Sequence, residues 1–154
     1  MRGRHADAPA PRLRRARRDD IAALLDHVGG PAAGRLRALR RVLKTLVADV
    51  YVLDAGDAVR GVVAVTYRRS LARGGLTATV DLLRAFPAGD AAAGEDVLRA
   101  LVGCALERAR RRGCVTIDSP LADVDAVRAL EDAGLAPVAT QRELSLRSAP
   151  CEPA

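Results

Sequence analysis

The stretch VDLLRAFPAGDAAAGEDVLRALVGCALERARRRG, Val80 to Gly113, decides how this chain folds. It opens with a strand-like segment that ends at Ala85. Pro87 then leads into small residues, Ala88 to Ala93, and a helix is predicted from Gly94 to about Arg112. Val97, Leu98, Leu101, Val102, Ala105 and Leu106 recur there at helical spacing. Gly113, behind a run of arginines, supplies the stop that a helix C-terminus favours. A strand feeding a tight loop that opens a helix has a chemical consequence. The first backbone amides of the helix point at the loop, and the helix dipole adds partial positive charge there, which suits a pyrophosphate.

Working outward, Cys114 to Asp118 reads as a short strand with Val115 and Ile117 buried, a parallel neighbour of the strand around Leu82 through a crossover. Upstream, Val50 to Leu53, Val59 to Arg69 and Leu76 to Ala85 alternate with period two and form an antiparallel meander. They are separated by Ala55-Gly56-Asp57-Ala58 and Arg73-Gly74-Gly75. Val59, Gly61, Val63, Val65 and Tyr67 share one face of the middle strand, and Asp81 is set opposite an apolar face of Val80 and Leu82. Before the meander come a strand at Arg12 to Ala16 and a helix capped by Asp19 or Asp20, with Ile21, Leu24, Leu25 and Val28 inward and Gly29-Gly30-Pro31 as its end. A second helix follows at about Ala33 to Val47, with Leu36, Leu39, Leu43, Leu46 and Val47 on its apolar face. After the crossover strand, a helix over Asp123 to Ala133 stops at Gly134, and Leu135 to Leu146 closes the chain with one or two strands. Residues 1–11 and 148–154 read as mobile tails around a single domain over 12–147. The expected fold class is α/β (α+β). Its sheet is mixed, twisted and mostly antiparallel, with about six or seven strands, helices on both faces and the order β-α-α-β-β-β-α-β-α-β.

Composition narrows the function. The 154 residues are 49% hydrophobic and 29% charged, which supports one packed core and excludes global disorder. Aromatics make up only 2%, namely Tyr51, Tyr67 and Phe86, which argues against a module that stacks bases on aromatic platforms. The net charge of +6 still favours anionic partners; all basic residues but Lys44 are Arg, as a GC-rich coding bias would give. Cys104, Cys114 and Cys151 are odd in number and lack CxxC spacing, which fits a reducing cytoplasm and neither a disulfide framework nor a metal site. No apolar run approaches the roughly 20 residues of a membrane span. Cys104 and Cys114 read as core residues, His27 as a surface residue, and Arg108, Arg110, Arg111 and Arg112 as a solvated helix end.

The element order resembles the GCN5-related N-acetyltransferase (GNAT) superfamily over about Arg12 to Leu146. Four segments carry the resemblance: RRARRDDIAALL from Arg14, VRGVVA from Val59, the stretch from Val80 to Gly113, and DVDAVRALEDAGL from Asp123. The resemblance implies acetyl-CoA as co-substrate, no metal, a small-molecule or peptide amine as acceptor, and a homodimer as in many relatives. It implies that the pyrophosphate lies on Ala91, Ala92, Ala93, Gly94 and Glu95. The pantetheine arm would run along Leu83, Arg84 and Ala85, in a gap between the fourth and fifth strands, and Asp81 would be the general base. The family's loop reads Arg or Gln, two residues, Gly, one residue, then Gly or Ala. Here Gly89-Asp90-Ala91-Ala92-Ala93-Gly94 keeps only the last position. Asp90, Glu95 and Asp96 add negative charge nearby, and Leu130 stands where the family often has a proton-donating Tyr. Two alternatives accompany the transferase: a GNAT-fold interaction module without catalysis, from the altered loop and the missing Tyr, and a basic nucleic-acid-binding domain, from the positive charge, against which the scarcity of aromatics and the lack of a reading motif count.

Overall fold

A computed structural model of the chain describes residues 10–27, 32–56, 58–87 and 91–137. The elements are β1 (Arg12–Arg15), a 3-10 turn (Arg18–Asp20), α1 (Ile21–Leu25), α2 (Ala32–Val42), β2 (Ala48–Asp54), β3 (Val59–Ser70), β4 (Gly75–Ala85), α3 (Ala91–Arg111), β5 (Thr116–Asp118) and α4 (Val124–Asp132). The strands form one sheet in the order β1-β2-β3-β4-β5, antiparallel except for the parallel pair β4–β5. This is the expected mixed sheet, with five strands among the described residues rather than six or seven. Residues 135–137 form no strand, and the remainder of the expected closing strand, 138–146, lies outside the described residues. Both expected tails, apart from residues 10 and 11, lie outside them too, as do Val28 to Pro31 and Asp57.

Helices cover both faces. On one, Leu98, Leu101, Val102, Ala105 and Ala109 of α3 and Ala126 and Leu130 of α4 pack on Val63, Val65, Tyr67, Ala78, Val80 and Leu83. On the other, Ile21, Leu24 and Leu39 pack on Val50, Val52, Val62 and Phe86. Helix α3 lies tight against the sheet at Gly61. A Cβ there would lie 2.6 Å from Val97 Cγ1, 2.7 Å from the Arg84 carbonyl oxygen and 2.9 Å from Leu101 Cδ1.

Several expectations are corrected. α2 ends at Val42, not Val47, because the chain turns through Thr45, whose hydroxyl accepts the Val47 N–H, and Val47 then joins the sheet by accepting the Tyr67 N–H. Leu46 and Val47 are consequently exposed, at 81% and 61%. Asp20 does not cap α1. Its carboxylate accepts from the Arg17 N–H and from the Arg14 guanidinium, which also reaches Asp54. That Arg14 bond is the main cause holding the Asp20 carboxyl below the usual range. Val115 precedes β5 and is 54% exposed, its side chain lying over Gly75. In β3, Leu53 pairs with Gly61 and Asp54 with Val59, so Arg60 is an extra residue. This bulge turns Val59 to the α1/α2 face, away from Val63, Val65 and Tyr67.

The C-terminal end of α3 is also not a simple solvated end. Arg108 and Arg112 turn back over Tyr51 and Tyr67 and reach Asp49, whose side chain is fully buried. Asp49 accepts from the Tyr67 hydroxyl at 3.0 Å and from Arg112 Nε at 3.1 Å, and Arg15 lies 3.5 Å away. Cys104 and Cys114 are half-buried, and burial raises both thiols above their usual range.

Candidate functional site

Strand β4 is irregular where the chemistry was expected. Ala64 pairs with Leu82 and Val65 with Val80, so Asp81 is inserted as a bulge. The side-chain period breaks there. Val80 and Leu83 both face α3, whereas Leu82 faces the α1/α2 side. The expectation that Val80 and Leu82 share a face is therefore wrong, because one extra residue flips everything that follows it. Asp81 itself is exposed and accepts a hydrogen bond from the Thr66 hydroxyl at 2.6 Å.

The bulge lies next to a second break. Pairing of β4 with β5 ends at Thr79 opposite Asp118, where the Thr79 hydroxyl donates to the Asp118 carboxylate at 2.6 Å. Beyond this point the chain leaves the ladder. The Ser119 hydroxyl donates to the Val80 carbonyl at 3.1 Å, and β4 continues to Ala85 paired only with β3 among the described residues. Among the described residues, the β5 side of Asp81 to Ala85 is thus an unpaired main-chain edge beside α3.

Of the residues expected along it, Leu83 is buried against α3, Arg84 is exposed opposite Val62, and Ala85 pairs with Gly61. The Phe86 N–H donates to the Arg60 carbonyl at 2.7 Å, fixing the end of the strand. His27, expected on the surface, is half-buried and stacks on Phe86 with ring centroids 3.9 Å apart.

Helix α3 begins at Ala91, three residues before the expected Gly94, so Ala91, Ala92, Ala93 and Gly94 form its first turn. The Cβ position of Gly94 lies 4.0 Å from Ala85 Cβ, which sets the helix start against the end of β4. Gly89 and Asp90 lie outside the described residues. The other two acidic residues are in exposed ion pairs: Glu95 lies 3.6 Å from Arg128 on α4, and Asp96 is 2.6 Å from Arg99. Leu130 is a buried core residue, and Asp123 caps α4 by accepting the Ala126 N–H. The sequence carries a signal for the bulge: strict alternation from Val80 would place Leu83 with Asp81 and Arg84 on the apolar face, a break that one inserted residue repairs.

Comparison with solved structures gives this arrangement a context. A transcriptional regulator from Bacillus halodurans is 23% identical, with a TM-score of 0.74 over 88% of this chain and 99% of its own. An aminoglycoside 6'-N-acetyltransferase from Acinetobacter haemolyticus is 14% identical, with a TM-score of 0.72 over 90% and 99%. A predicted acetyltransferase from Clostridium acetobutylicum, solved with acetyl-CoA, is 12% identical, with a TM-score of 0.71 over 88% and 96%. The chain has the GNAT fold. The GNAT assignment concerns architecture, since all these identities are low. No family model matches the sequence, and no curated protein matches it significantly. No helix among the described residues is long and apolar enough to cross a membrane.

Proposed function

We propose that the chain is an acyl-CoA-dependent N-acyltransferase that moves an acetyl group from acetyl-CoA to an amine by direct attack. The observation that carries this reading is the edge of β4 from Asp81 to Ala85, unpaired among the described residues and ending against the first turn of α3. An extended amide-bearing arm can hydrogen-bond to such an edge as an added strand would. A diphosphate suits the helix start, where the charges of Glu95 and Asp96 are partly offset by Arg128 and Arg99. Structures of this fold named as acetyltransferases, one of them holding acetyl-CoA, support the choice of co-substrate.

Backbone groups of Leu83, Arg84 and Ala85 would hold the arm, and Ala91 to Glu95 the diphosphate. The bound thioester supplies an activated acyl carbon. A backbone amide within Leu83 to Ala85 stabilises negative charge on the acyl oxygen, an effect worth several kcal/mol where donors are preorganised. Asp81 would accept the proton of the incoming amine, directly or through water, while the Thr66 hydroxyl fixes its carboxylate; the C–N bond forms as the thioester C–S bond breaks, and CoA would leave as a thiolate that takes a proton from water.

Asp81→Asn tests the assignment. The side chain is exposed and makes one protein hydrogen bond, so the melting temperature should stay unchanged. Thiol release from acetyl-CoA, assayed against a panel of primary amines, should fall by about 100-fold. Unchanged turnover in the variant removes Asp81 from the mechanism. No thiol release by the parent chain with any amine, although CoA binds, favours the alternative of a non-catalytic interaction module.

A further inference from the structure

The α1/α2 face carries a charge pattern that acyl transfer leaves unused. Arg37, Arg40, Arg41 and Lys44 are all exposed, and their i, i+3, i+4, i+7 spacing sets them in one stripe. The helical path persists past Val42, because the Leu43 N–H donates to the Leu39 carbonyl and the Lys44 N–H to the Arg41 carbonyl. Across from the stripe stand Arg17 and Arg18. Between them runs a groove of about 320 Å³ that Arg40 and Lys44 flank, with Ala16, Ile21 and Leu43 also lining it.

None of these six cations makes an ion pair among the described residues, whereas Arg14, Arg99, Arg111 and Arg128 each reach a carboxylate. Asp19 and Asp26, both exposed, form no ion pair with any of them among the described residues. Like charges gathered on one exposed surface repel weakly through solvent, and an anion that joins them removes that cost.

The extent of the patch selects the kind of anion. Arg40 and Lys44 belong both to the groove and to a second, shallower basin on the outer side of the stripe, shared with Arg37 and Arg41. One phosphate or carboxylate would engage only part of this surface. Duplex DNA offers about one charge per 1.7 Å of axis and matches a continuous stripe. Scarcity of aromatic residues excludes base stacking but not contact with phosphates, which needs only positioned cations. We infer that the α1/α2 face binds the phosphate backbone of nucleic acid without reading its bases. The inference does not rest on the transferase reading.

Fluorescence anisotropy of a labelled random-sequence duplex, titrated with the full chain at several salt concentrations, tests it. Four to six phosphate contacts predict a slope of log K on log salt of about −4 to −5. Arg40→Ala with Arg41→Ala should reduce the slope by about 2 and weaken low-salt binding at least tenfold. Lys44→Glu should weaken it in the same direction. Arg68→Ala with Arg69→Ala, on β3, should leave the slope unchanged. Circular dichroism melts verify that each variant is folded, as the exposure of these side chains predicts. No binding at low salt overturns the proposal. So does an equal loss in the β3 variant, an unchanged slope in the α2 variants, or capture of polyglutamate in preference to DNA.

Discussion

Asp49→Ala is expected to lower the stability of the fold by about 3 kcal/mol, or roughly 6–12 °C in melting temperature for a domain of this size. The carboxylate is fully buried between Arg15, Arg108 and Arg112 and accepts the Tyr67 hydroxyl. Removing it leaves three guanidinium groups facing one another and a buried phenol without its acceptor. The figure sits at the low end for a broken buried pair because Arg108 and Arg112 keep contact with water, at 31% and 29% exposure. Asp49→Asn should fall between the two, since it keeps an acceptor and loses the charge. The pH dependence has a definite sign. Burial alone would raise the Asp49 pKa, but hydrogen bonds from Arg112 and Tyr67 and the charges of Arg112 and Arg108 outweigh it and hold it below the ordinary value. A depressed carboxyl contributes fully above the unfolded-state value, near 3.9, and loses that contribution as pH falls through the folded value. Melts of the parent chain should therefore steepen in their decline below about pH 4, and those of Asp49→Ala should decline less. Superposable pH profiles, or an Ala variant melting within about 2 °C of the parent, would show that the cluster is not structural.

Gly61→Ala should cost about 2–3 kcal/mol, at the upper end for overpacking. The new methyl would meet Val97 and Leu101 from α3 and, at 2.7 Å, the Arg84 carbonyl. Side chains can rotate aside, but that carbonyl belongs to a paired strand and cannot. The strain should push α3 away from β4 and displace the Arg84 carbonyl, so the variant should also bind CoA more weakly. Denaturant melts give the first effect and titration with CoA the second. An unchanged midpoint with an unchanged slope would mean that α3 does not seat at Gly61.

These two residues show what could and could not be read from sequence. Period-two alternation in Val59 to Arg69 and Leu76 to Ala85 found the meander, and 3.6-residue periodicity found α3, because each element buries one face. Gly61 was placed on the correct face, yet the reason for a glycine there lies in helix α3, over thirty residues downstream. The reach of Arg108 and Arg112 to Asp49 spans separations of 59 and 63 residues, which no local pattern encodes. The bulge at Asp81 escaped for a different reason. The break in alternation at Leu83 and Arg84 signals an extra residue, but register is a property of two strands together, and the Val65–Val80 and Ala64–Leu82 pairs that define it come from both. The end of α2 was overrun because Leu46 and Val47 fit a helical stripe, while the turn at Thr45 decides otherwise.

The central claim is that the edge of β4 beyond Thr79, unpaired among the described residues, and the first turn of α3 together receive CoA. It is tested most directly by recording backbone amide resonances of the ¹⁵N-labelled chain during addition of CoA and of acetyl-CoA. The account predicts saturable shifts concentrated on Leu83, Arg84, Ala85 and Ala91 to Glu95, with smaller changes at Asp81 and little on α2. A spectrum that stays unchanged at millimolar ligand, or shifts confined to the arginines of α2, would contradict it.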